Sequence, residues 1–106
     1  MRHFIIAGNW KMNMNNNQTK AFLDDLKIKI TNFEYNNNID IIICPPFTSL
    51  RTAKESVEDS QIKIGAQNMF HLQSGAFTGE ISPSMLAELG CDYVIIGHSE
   101  RRQYFN

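Results

Sequence analysis

Polar residues able to hold and polarise a small anionic molecule stand at three places along this chain, each directly after a short apolar run. Asn9 and Lys11 follow the first run, Gln67 and Asn68 the third, and His98, Ser99 and Glu100, then Arg101 and Arg102, the fourth. Lys11 carries a compact charge with three donors, suited to an anionic group, although a single lysine after a strand is as a rule solvated. Asn9 offers both a donor and an acceptor to a carbonyl or hydroxyl, or to its own backbone in a turn. His98 sits between Gly97 and an expected helical turn whose positive end favours a neutral imidazole. Such a ring can donate to an oxygen on which charge develops, while spacing alone favours a structural histidine. Glu100 has Lys11, Arg101 and Arg102 as possible ion-pair partners, and Trp10 reads as packing.

Other chemistries are disfavoured. Neither GxGxxG nor GxxxxGK[ST] occurs, since Gly75-Ala76-Phe77-Thr78-Gly79-Glu80 has neither spacing nor lysine. Cys44 and Cys91 are far apart with no further Cys or His at ligand spacing, so no metal site is expected and both read as reduced, packed thiols. Ten basic against eleven acidic residues leave a net charge of −1, which argues against nucleic acid and anionic membrane surfaces as partners. The run Phe4–Ala7 is too short for a secretory core and no stretch of about 18 apolar residues occurs, so the cytoplasm is the expected location. The sequon Asn17-Gln18-Thr19 is accordingly read as unused.

The elements that must position these residues follow from hydrophobic patterning. Four continuous apolar runs, 4–8, 40–44, 62–66 and 93–97, are rich in Ile, Val and aromatic residues, as strands buried on both faces are. Phe22, Leu26, Ile30 and Phe33 recur at helical spacing. Leu50, Ala53 and Val57 predict a second, shorter helix after Pro45-Pro46. Ser82 and Pro83 start a third, which Gly90 ends after Leu86 and Leu89. The triplets Asn15–Asn17 and Asn36–Asn38 read as solvated connections. The order β-α-β-α-β-α-β predicts an α/β fold with parallel strands and right-handed crossovers, without an internal domain boundary in residues 1–106.

One connection is long. Residues 67–81 separate the third strand from its helix, and loops of about 12–15 residues without structure of their own are usually functional. This one carries Met69, Phe70, Leu72 and Phe77, which either fold back on the core or are covered by a partner.

Taken together, Ala7-Gly8-Asn9-Trp10-Lys11-Met12-Asn13, Gly65-Ala66-Gln67-Asn68, Gly75–Ser82 and Ile96-Gly97-His98-Ser99-Glu100-Arg101-Arg102 resemble the triosephosphate isomerase family from end to end. The resemblance implies a partial TIM barrel, the N-terminal half of (β/α)8, in an enzyme of glycolysis and gluconeogenesis. Its reaction interconverts D-glyceraldehyde 3-phosphate and dihydroxyacetone phosphate through an enediolate, without a cofactor. It implies Asn9 and Lys11 as substrate contacts, His98 with a neutral ring as the catalytic electrophile, and Glu100 in support. It also implies a homodimer through the 67–81 loop. There Gln67, Phe77 and Thr78 would lie at the interface and Thr78 would approach the partner subunit's Asn9 and Glu100.

A barrel of this kind typically needs about 250 residues, against 106 here. The family's general base, its closing lid and its later phosphate loops have no counterpart in these residues. The expectation is therefore a piece of the enzyme, inactive alone, with open strand edges. The alternative is a non-catalytic half-barrel or small flavodoxin-like module for assembly or binding.

Overall fold

Continuous apolar runs alternating with amphipathic stretches must bury both faces of each strand, and the chain does so with crossover helices. The structure, a computed structural model, describes residues 4–31 and 39–105. Its elements are β1 (Phe4–Asn9), α1 (Asn16–Thr31), β2 (Ile39–Cys44), α2 (Leu50–Ser56), β3 (Ile62–Ala66), α3 (Pro83–Leu89), β4 (Tyr93–Val94) and α4 (Ser99–Phe105), with a 3-10 turn at Phe47–Ser49. The strands lie in the order β1-β2-β3-β4 and every pair is parallel. They curl, with helices between them, into the N-terminal half of a (β/α)8 barrel.

Side chains alternate across each strand, so one face meets the helices and the other lines the concave side. Ile43, Ile62, Ile64 and Ala66 face Leu23 of α1, Leu50, Ala53 and Val57 of the second helical segment, and Leu86 of α3. Cys44 points the opposite way and is still buried, because Gly65 on the neighbouring strand leaves it room. A Cβ on Gly65 would stand 2.8 Å from the Cys44 Sγ. At the start of the strands the Tyr93 hydroxyl donates to Asp40 at 2.9 Å, with Lys63 4.0 Å from the same carboxylate. Phe4, Ile5 and Ile6 are 54–59% exposed, since β1 is an edge of the described sheet.

Helix boundaries obey local chemistry. Ser82 Oγ accepts from the Met85 N–H at 3.3 Å, Pro83 takes the first turn, and Gly90 closes α3 with a left-handed φ of 83°. Asn15 does more than the expected solvated connection. Its Oδ1 accepts from the Gln18 N–H at 2.9 Å while its own N–H donates to Gln18 Oε1 at 3.0 Å, a reciprocal capping box, and Asn16 and Asn17 already belong to α1. Asn36–Asn38 lie outside the described residues.

Two further expectations are corrected. The buried seam of α1 runs through Thr19 and Leu23 to the partly buried Leu26 and Ile30, not through Phe22. Thr19 fits there because its hydroxyl donates to the Asn15 carbonyl at 2.7 Å. Phe22 stays 41% exposed and sets its ring edge-on to Trp10, centroids 5.2 Å apart; Phe33 lies outside the described residues. The fourth strand covers Tyr93–Val94 rather than 93–97, because β3 ends at Ala66 and offers no backbone to pair with beyond the Ile95 N–H to Ala66 carbonyl bond.

The long loop divides in two. Met69 and Ile81 pack on the core and the Phe70 N–H donates to the Ile81 carbonyl at 2.7 Å, closing the base. Residues 71–79 are exposed, with Phe77 against Phe70 at 4.4 Å and Gln73 accepting from the Ser84 N–H.

Leu23→Ala should lower stability by about 2–5 kcal/mol and Phe22→Ala by no more than about 1 kcal/mol. Urea midpoints at unchanged m-value measure both, and equal losses would move the seam back to Phe22. Burial raises the Cys44 thiol above its ordinary value, helped by Cys91 and opposed by a Gly65 backbone bond; Cys91 is raised by burial, then by Asp92, with Lys54 opposing. Iodoacetamide at mildly alkaline pH should therefore label the partly exposed Cys91 before Cys44, and both more slowly than in urea.

Candidate active site

Carboxyl ends of parallel strands gather on one rim, where backbone groups no longer find strand partners and loops begin. At the end of β1 the Trp10 N–H donates to the Cys44 carbonyl at 3.1 Å, and the chain then turns through Lys11 with a left-handed φ of 53°. A residue with a Cβ rarely adopts that conformation. Asn9 supports it by accepting the Lys11 N–H on Oδ1 at 2.9 Å. The Asn9 oxygen thus serves its own turn, the plainer of the two readings open to it. Asn13 secures the next step by donating to the Trp10 carbonyl at 2.8 Å.

Lys11 projects across the rim to α4, its Nζ 3.4 Å from Glu100 Oε1. That same carboxylate oxygen lies 4.0 Å from His98 Nδ1. Lys11, from the end of the first strand, and His98 and Glu100, from beyond the fourth, therefore meet around one oxygen. Ser99 donates to the other Glu100 oxygen at 3.2 Å. The Glu100 carboxyl is held below its ordinary value, first by its own backbone N–H, with burial opposing, and then by Lys11 and Ser99. The Lys11 ammonium has three donors, so its pairing with Glu100 leaves capacity for an anion, and its side chain is 63% exposed.

His98 is almost enclosed, and its Nε2 meets the backbone carbonyl of Gln67. A carbonyl can only accept, so this nitrogen carries the ring hydrogen. It is the N–H that the sequence reading aims at a substrate oxygen; here it is turned to the chain itself. The loop before it is kept in shape by Arg102, whose Nη2 donates to the carbonyl of the left-handed Gly97 at 2.7 Å. Asn68 is half-buried beside this rim and Trp10 packs on the core, as expected of it.

Gln67 has partners inside the chain that residue spacing did not predict. Expected at an interface, it spends its side-chain donors inside the chain, on the Lys11 carbonyl at 2.8 Å and the Cys44 carbonyl at 3.0 Å. The signal was available: strand alternation continued from Lys63 and Gly65 puts residue 67 on the concave side. Phe77 and Thr78 stand exposed at the loop tip. Among the described residues no three His, Cys, Asp or Glu side chains cluster as a metal site requires, and no helix is long and apolar enough to cross a membrane.

Residues 4–106 match the family described as triosephosphate isomerase. The triosephosphate isomerase of Dictyoglomus turgidum is 55% identical over 106 residues, 100% of this chain and 41% of the relative. That of Finegoldia magna is 53% identical over 105 residues, 99% of this chain and 40% of the relative. That of Dehalococcoides mccartyi is 54% identical over 105 residues, again 99% and 40%. The chain thus spans about two fifths of the length of the curated relatives it matches. With the family match running over residues 4–106 and these relatives 53–55% identical over 99–100% of its length, the chain belongs to the triosephosphate isomerase family.

Proposed function

We propose that these residues form the N-terminal part of the active site of a triosephosphate isomerase, with a triose phosphate as substrate. The observation that carries the reading is the meeting of Lys11, His98 and Glu100 at one carboxylate oxygen, on the rim where such barrels do their chemistry. The reaction is a proton shift. A base takes the C–H proton beside the carbonyl, the electron pair moves onto the carbonyl oxygen as an enediolate, and a proton returns at the adjacent carbon.

The groups of this chain act on the oxygen and on the charge. His98 donates its Nε2–H to the oxygen as it becomes negative, leaving the Gln67 carbonyl to do so. A single such donor is worth about 10²–10³ in rate. Lys11 holds the anionic substrate, Asn9 supports that contact, and Glu100 holds the ammonium in place between turnovers. The proton shift leaves no net oxidation and needs no cofactor.

By the family resemblance, the base, the lid and the later phosphate loops have no counterpart in these residues. General-base catalysis alone contributes about 10²–10⁴-fold, so the 106 residues by themselves turn over little or no substrate. The pathway context is glycolysis and gluconeogenesis in the cytoplasm. The exposed tip of the 67–81 loop, with Phe77 and Thr78, seats in a second subunit of a homodimer.

Fusion of the chain to the remainder of the Dictyoglomus turgidum relative should give isomerase activity that the 106 residues alone lack; an inactive, folded fusion overturns the reading. In the fusion His98→Gln should lower kcat by about 10²-fold or more, whereas Lys11→Ala should act mainly on KM. An unchanged KM for the lysine variant contradicts its role. Phe77→Ala or Thr78→Ala should shift the dimer dissociation midpoint upward in a dilution series followed by light scattering, and a midpoint unmoved by either removes the loop from the interface.

A further inference from the structure

We propose that Gln67 is a positioning residue that holds Lys11 through its side chain and His98 through its backbone; the proposal rests on the site reading above. Gln67 is the first residue beyond β3, and its carboxamide has two N–H donors. Both are engaged, one on the carbonyl of Lys11 at 2.8 Å and one on that of Cys44 at 3.0 Å. Its own carbonyl receives His98 Nε2. One residue therefore ties together the ends of β1, β2 and β3 and the segment that follows β4.

Lys11 needs such a tie. Its φ of 53° is one that a side chain disfavours, and the peptide groups on either side of it are fixed by different partners. Its N–H donates to Asn9 Oδ1 on one side, and its carbonyl accepts from Gln67 on the other. Asn9 is local and moves with the turn, whereas Gln67 directly follows another strand and anchors the turn to the sheet. With that anchor removed, the Lys11 turn is free to relax to a right-handed or extended backbone, which carries Nζ away from its place 3.4 Å from Glu100.

The two halves of the role separate cleanly. A side-chain substitution removes the hold on Lys11 and leaves the backbone carbonyl that meets His98. Gln67→Met removes the donors at nearly constant volume, and Gln67→Glu keeps shape and polarity while losing the donors when ionised. In the fusion described above, either substitution should raise KM by about ten-fold with kcat within about two-fold. In a Lys11→Ala background it should add less than about two-fold, because the residue it acts through is gone. The HN–Hα coupling of Lys11 should leave its left-handed value, while the His98 ring nitrogen shifts keep the Nε2–H pattern. A full KM effect in the Lys11→Ala background, or an unmoved Lys11 coupling, overturns the proposal. Should the methionine variant not fold, the glutamate variant supplies the same readings. An unsubstituted fusion without activity would overturn the functional reading, and the Lys11 coupling in the variants would still decide the role of Gln67.

Discussion

The Cys44 carbonyl, at the end of β2, accepts the Trp10 N–H at 3.1 Å and the Gln67 carboxamide at 3.0 Å. Both of its lone pairs are thereby used, one by the segment that leaves β1 and one by the residue that leaves β3. A parallel ladder ends wherever one strand departs, and its last carbonyls must then find donors elsewhere. Here those donors come from the residues that turn into the rim. The course of the Lys11 turn, the approach of His98 to Gln67 and the meeting with Glu100 follow from where these strands stop.

Below the rim, the two faces of the sheet are filled by different means. The helix side is a hydrocarbon core of Leu23, Leu50, Val57, Ile62, Ile64 and Leu86. The concave side holds the buried Cys44, placed by the missing side chain of Gly65, and the hydrogen-bonded Tyr93 and Asp40. That hydrogen bond from Tyr93 to Asp40 is the main reason the phenol is raised above its ordinary value, with burial and the charge of Asp40 adding. At β1 the side chains of Phe4, Ile5 and Ile6 remain more than half exposed. Full burial of an Ile or Phe side chain contributes about 1.5–3 kcal/mol, so this edge is where added structure would stabilise the sheet most.

Much of the fold was legible because its signals are local. Ser82, Pro83 and Gly90 each satisfy or spare a backbone group at an end of α3, and the helix keeps those bounds. Leu50, Ala53 and Val57 all proved buried. The miss on α1 has a physical origin: Phe22 and Leu23 are adjacent and both apolar, so periodicity alone leaves two nearby stripes open. What decided between them was Thr19, whose hydroxyl is satisfied by the Asn15 carbonyl and so tolerates burial. The shortened β4 was equally out of reach, since a strand ends where its neighbour does, and that depends on the course of the 67–81 loop.

For the site, residue types and their places after apolar runs singled out Asn9, Lys11, His98 and Glu100, and four motifs together pointed to the family. Sequence by itself determined the α/β class, the caps of α3 and which side chains stand at the carboxyl ends of strands, because these depend on neighbours a few residues away. Only the tertiary structure decided that Glu100 pairs with Lys11, that His98 Nε2 meets the Gln67 carbonyl, and that the Gln67 side chain turns inward. Those contacts join residues 23 to 89 positions apart, and no local pattern records a distance that strand register and loop closure set together.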